Sequence, residues 1–201
     1  MAISTYQELR DAIANWLDHS LYAGDRTAEF ISLFEAHANR RLRVRQMEAS
    51  TSITMSSGSG TLPADFLSVR RVTWPGSTAV DLEYVQPSWL VAAYPDSGQG
   101  TPSVYTIEGS TIKVRPVDDT SLTFLYYQKI VALSGSVNWL FSTHPDVYLF
   151  GSLCEAEMFG VNDSRAALWK ARRDEIFDEI EKLSNKTRGN AGAIRVMGAT
   201  P

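Results

Sequence analysis

The sequence predicts an α+β fold: a helical bundle drawn from the N- and C-terminal segments, with an inserted antiparallel β domain. Apolar residues recur every three to four positions before residue 48 and again after residue 142. Between these stretches the chain breaks into short runs rich in β-branched and aromatic residues, separated by Gly, Ser, Pro and Asp clusters. A single cysteine, Cys154, excludes an intramolecular disulfide, so stability must come from packing or assembly.

Thr5 and Glu8 are spaced as a capping box and announce the first helix, which continues through Leu9, Ile13, Trp16 and Leu17. "LYAGDRT" interrupts it, with Gly24 suited to a turn and Asp25 or Thr27 to an N-cap. A second helix is predicted from about Ala28 to Arg45, with Ile31, Phe34, Ala38 and Leu42 on one stripe. The strand candidates are "TSITM", "FLSVRRVTW", "AVDLEYV", "SVYTIEG", "TIKVRPV" and "SLTFLYYQKI". Glu108 to Thr111 reads as a tight hairpin turn, "QPSWLVAAY" as a short helix, and "MSSGSG" (Met55 to Gly60) as a loop tip free to touch a neighbour. Helices return with "STHPDVYLFGSLCEAEMFG", capped by Ser142 or Thr143, with Pro145 in the first turn and Gly160 at the end. A last helix starts at a cap between Asn162 and Ser164 and carries Trp169, Ile176, Ile180 and Leu183 along one face. The expected domains are residues 1–48 with 142–187 as a helical core, 49–141 as the β insertion, and 188–201 as a flexible basic arm.

A hydrophobic fraction of 44% with 21% charged residues is that of an ordinary folded chain. No apolar run reaches the roughly 18 to 20 residues that span a bilayer, so no membrane partner is expected. The N-terminus shows no basic-then-apolar signal pattern, which points to synthesis in the cytoplasm. The net charge of −4 argues against a broad DNA-wrapping face. Local basic patches remain, because Arg40, Arg41, Arg43 and Arg45 fall within six positions and no acid follows Glu181. On a continuous helix Arg41 and Arg45 would share the apolar stripe while Arg40 and Arg43 point away. They are read as the cationic end of a structural helix and as candidates for subunit or DNA-channel contact. Glu157 falls among Phe150, Leu153 and Cys154, so it is predicted to be buried and paired with Arg41, Arg45 or Arg172.

Catalytic signals are weak, and no enzyme and no cofactor are expected. His19, His37 and His144 are scattered without metal-ligand spacing, and Cys154 sits among apolar residues where a thiol is usually inert. Asp118 and Asp119 occupy a loop as turn formers. A cell-wall hydrolase would use a carboxylate pair such as Glu155 or Glu157 with an Asp, and the four arginines with the basic arm would serve a DNA-binding accessory protein.

"LPADFL" leads into a strand, "TPSVYTIEGSTIKVRPV" forms a Pro- and Gly-spaced hairpin, and "FLYYQK" follows as an aromatic strand. With the paired helices before them, "THPDVYLFGSLCEAEMFG" after them and a long charged last helix, the order resembles the head-to-tail adaptor proteins of tailed bacteriophages. That group includes the tail tubular protein A of short-tailed phages, and the shared pattern runs to about residue 187. The resemblance implies a structural virion protein at the head–tail junction, forming a homo-oligomeric ring of about twelve subunits under the portal protein. It implies a platform for the tail or nozzle protein and a central channel that DNA passes without sequence specificity. The arm is the expected portal-docking element, through Arg188, Ile194, Arg195, Val196 and Met197, because its three apolar anchors around a cation exceed what a polar linker needs.

Overall fold

A computed structural model describes residues 3–17, 25–95 and 98–189, with the side chains of residues 25 and 187–189 left aside. The chain divides into two compact units, Met1–Gln46 with Ile130–Pro201, and Met47–Lys129.

The first unit holds α1 (Tyr6–Leu17), α2 (Asp25–Arg41), α4 (Trp139–Thr143), α5 (Pro145–Phe159) and α6 (Asp163–Gly189). The start of α1 closes the capping box: Thr5 Oγ1 accepts from Glu8 N at 3.2 Å, and Glu8 Oε2 accepts from Thr5 N at 3.0 Å. Leu9, Ile13 and Leu17 of α1 and Ile31, Phe34 and Ala38 of α2 are buried, and both helices pack on α5, whose buried residues lie all round its axis. That is the signature of a helix at the centre of a bundle. Phe34 packs edge-on to Tyr148 at 4.8 Å and flat against Phe177 of α6 at 6.0 Å. Gly151 permits this, since a Cβ there would stand 2.0 Å from the Phe34 ring.

The second helix stops at Arg41, four residues short of the predicted end, and Arg45–Met47 forms a separate 3₁₀ turn. Leu42, Val44 and Met47 are nevertheless buried, so the chain leaves the helix to insert them. Ser142 and Thr143 do not cap α5; they end α4, a five-residue helix that the sequence did not signal and that Asn138 caps by accepting from Phe141 N at 2.9 Å. Along α6 the buried positions are Ala166, Arg173, Phe177, Ile180 and Ser184, so the stripe predicted through Leu183 is rotated and Leu183 points outward. Residues 130–141 belong with the helices because α2 holds them: Asn39 Oδ1 accepts from Ile130 N at 2.8 Å and Glu35 Oε1 from Leu133 N at 2.7 Å.

The second unit contains β1 (Glu48–Ile53), β2 (Ser59–Thr61), β3 (Phe66–Trp74), β4 (Val80–Asp81), β5 (Glu83–Tyr84), α3 (Pro87–Ala93), β6 (Val104–Glu108), β7 (Thr111–Arg115) and β8 (Leu122–Gln128). Two four-stranded sheets form, in the orders β1-β8-β3-β4 and β2-β7-β6-β5. Pairing is antiparallel except between β5 and β6. Val72, Leu122 and Phe124 of one sheet and Tyr105, Ile112 and Val114 of the other join a single apolar cluster. The "MSSGSG" stretch is not a free tip. Ser57 and Gly58 both take positive φ (50° and 68°), as a two-residue hairpin turn requires. Gly58 is buried there, donating to Asp119 Oδ1 at 3.2 Å and accepting from Val114 N at 2.9 Å.

Candidate assembly surfaces

The four arginines part company where α2 ends. Arg41 reaches α6, placing Nη2 2.6 Å from Asp178 and Nε 3.2 Å from Glu181. Arg43 folds back and donates from Nη1 to the carbonyls of Asn39 at 2.7 Å and Leu42 at 2.5 Å, satisfying acceptors that the helix end leaves over. Arg40 and Arg45 are exposed and form no ion pair among the described residues. Two of the four are thus engaged in holding the bundle, and the other two are open to a partner.

Glu157 is buried in α5, and its cation is Arg165 of α6 at 2.9 Å, not Arg41, Arg45 or Arg172. Arg172 pairs instead with Glu175 in its own helix at 3.2 Å. The Arg165 Nε–H does not aim at Glu157 Oε1, which keeps charge attraction without an aligned hydrogen bond. Two residues away, Glu155 stands 4.0 Å from the buried guanidinium of Arg173. Asp118 accepts from Thr120 N at 2.5 Å as a turn former. His37 lies against Phe177 at 6.0 Å, and burial first, then Arg173, holds its pKa below the usual imidazole value. Burial pushes the Cys154 thiol up. His144 sits at the junction of α4 and α5, and His19 lies outside the described residues. Among the described residues no cluster of three or more His, Cys, Asp or Glu could hold a metal ion, and no helix is long and apolar enough to cross a membrane.

Two exposed features of the helical unit escaped the sequence reading. The first is the turn between α5 and α6. Asn162 N donates to Glu157 O at 2.9 Å and Val161 N to Met158 O at 3.3 Å, the two bonds of a Schellman ending. In that motif the left-handed residue is normally Gly. Here Gly160 has φ −77° and Val161 takes the left-handed position at φ 56°. A β-branched residue there costs about 1–2 kcal/mol. It is 82% exposed, between Met158 at 60% and Phe159 at 58% on one side and the polar start of α6 on the other. The guanidinium of Arg26 lies 5.2 Å over the Phe159 ring.

The second feature is a pocket of about 410 Å³ on α1, walled by Ile3, Ala12, Trp16 and Leu149 and carrying the carboxylates of Glu8 and Asp11. Trp16 is fixed at its end by edge contacts with Phe150 at 6.2 Å and Trp169 at 5.5 Å. Hydrogen bonds from Ser4 and Thr5 hold the Glu8 carboxyl below its usual pKa, so it stays anionic. The helical period had marked Trp16 as a core residue, and nothing local distinguishes it from Ile13.

Of the predicted docking residues, Arg188 falls within α6, which continues to Gly189; its side chain, and Ile194, Arg195, Val196 and Met197, lie outside the described residues. Among curated proteins none matches the chain. Compared with known families, residues 4–197 match the SU10 adaptor protein description, a span that takes in both compact units. The chain therefore belongs to the SU10 adaptor protein family, a structural family of bacteriophage head-to-tail adaptors.

Proposed function

We propose that this adaptor forms a closed ring of about twelve copies beneath the portal protein, carries the tail or nozzle protein on its far side, and leaves a central channel for DNA. The single observation behind this is the family match through residue 197, which spans both units and includes the C-terminal segment with its apolar anchors. In this reading Ile194, Val196 and Met197, with Arg188 and Arg195 beside them, dock on the portal. Arg40 and Arg45, exposed and without an acidic partner among the described residues, are cations available to the channel. Two charges per copy suit a channel, since dense phosphate neutralisation would bind DNA tightly and oppose its passage. The protein is made in the host cytoplasm and becomes part of the virion at the head–tail junction.

The test is co-sedimentation of the chain with portal rings of the same phage, beside a chain ending at Gly189. The full chain is expected to travel with the portal. The shortened chain is expected to keep the parent's thermal midpoint and stay in the supernatant. Absence of the full chain from the portal fraction contradicts the function, whereas equal binding of the shortened chain moves the docking site to the helices.

A further inference from the structure

We infer that the α5–α6 turn of one copy seats in the α1 pocket of the next, forming the head-to-tail joint between neighbouring subunits. This rests on the ring reading above and supplies the contact which that reading lacks.

The turn has the properties of an insert. Met158 and Val161 are 60% and 82% exposed, and Val161 keeps a left-handed backbone conformation although Gly160 stands one position earlier. A sequence selected for the free chain alone would put the glycine at the left-handed position and a polar residue at the surface. Holding an exposed valine there disfavours the isolated subunit and suits a contact made only on assembly.

Pocket and turn are complementary in two independent respects. Ile3, Ala12, Trp16 and Leu149 offer an apolar wall to Met158 and Val161. Glu8 and Asp11 in the pocket are opposite in sign to Arg26, which is exposed beside the turn over Phe159. Turn into pocket brings Arg26 toward Glu8 and Asp11, while exposed Asp163 in the turn and Arg165, which donates to the Trp16 carbonyl at 3.2 Å, carry the converse pair of charges. That contact uses two different patches, so it propagates in one direction and closes a ring when the rotation allows. Nor can a chain fill its own pocket. Leu149 and Phe159 are ten residues apart on α5, which separates them by about 15 Å along the axis and turns them about 80° apart. The apolar wall and the Arg26–Asp11 charge match make a second copy of this chain the occupant we infer.

The experiment counts copies bound per portal ring by native mass spectrometry, for the full-length parent and four variants. Val161→Gly is expected to keep or raise the thermal midpoint while lowering occupancy of neighbouring positions. Arg26→Glu and Asp11→Arg, both at exposed positions, should each weaken addition of neighbouring copies by about tenfold. The double variant Arg26→Glu/Asp11→Arg restores the opposite charges and should recover most of the parental count. If each single variant fills the ring as the parent does, or the double variant recovers nothing, the joint is overturned while the ring stands. If the parent itself binds the portal only as isolated copies, the ring reading and the joint fall together.

Discussion

Glu35 Oε1 accepts the backbone N–H of Leu133 at 2.7 Å and lies 3.3 Å from the Tyr148 hydroxyl, so one carboxylate on α2 fastens the chain on its return from the β unit. Asn138 completes the arrangement by donating from Nδ2 to both Val131 O and Tyr148 Oη at 2.7 Å. Burial raises the Glu35 pKa above 4.5, because the charged form is the one that loses water. Its contribution to stability is fully present below the unfolded value near 4.5 and is lost as pH rises through the folded pKa.

Glu35→Gln keeps the acceptor and removes the ionisation. At pH 7.5 this variant is expected to unfold at the parental denaturant midpoint or above it, with a flatter dependence of stability on pH between 4 and 7. Glu35→Ala leaves the Leu133 N–H without its acceptor and should cost about 1–3 kcal/mol. Urea titrations at about pH 4 and about pH 7.5 check both expectations, and a Gln variant less stable than the Ala variant contradicts them.

Gly151→Ala tests the contact of α2 with α5. The new methyl would stand 2.0 Å from the Phe34 ring, so the helices must separate or Phe34 must leave its place between Tyr148 and Phe177. A loss of about 1–3 kcal/mol is expected. Gly98→Ala, with nothing within 4 Å of the added atom, is the control and should stay within about 0.5 kcal/mol of the parent.

The arginines separate by the same measurement. Arg43→Ala removes two hydrogen bonds to helix-end carbonyls and is expected to cost about 1–2 kcal/mol. Arg41→Ala removes exposed ion pairs to α6 and should cost no more than about 1 kcal/mol. Replacing Arg40 and Arg45 together should leave the midpoint unchanged and, if they face the channel, reduce retention of duplex DNA by assembled rings at low salt.

Glu157→Gln removes a buried charge whose cation, Arg165, is 43% exposed and can turn to water. The cost is expected at about 1–2 kcal/mol, below the roughly 3–5 kcal/mol of a pair buried on both sides. Thermal unfolding of this variant beside Arg165→Ala measures it; a loss above about 4 kcal/mol contradicts the one-sided burial.

The parts of the fold legible in the sequence are those that local chemistry decides. Thr5 and Glu8 are three residues apart, and their mutual hydrogen bonds follow from that spacing alone. The turn at Gly109 and Ser110 is equally local. What escaped depends on distant partners. Gly58 is buried because Asp119, sixty-one positions later, accepts its N–H. The end of α2 depends on Leu42, Val44 and Met47 finding apolar surroundings off the helix axis. In α6, Arg173 displaces the expected stripe because Glu155 and Asp174 attend its guanidinium inside the bundle. Val161 was hidden by its neighbour, since Gly160 is the residue that helix-ending chemistry would choose for the left-handed position.

The most direct measurement of the central claim is the mass of the complex formed when the full-length chain is added in excess to portal rings of its phage. One discrete species is expected, in which about twelve copies are held by each portal ring, with few partly filled rings between. A smooth distribution of independently bound copies, or a portal mass unchanged by the added chain, would contradict it.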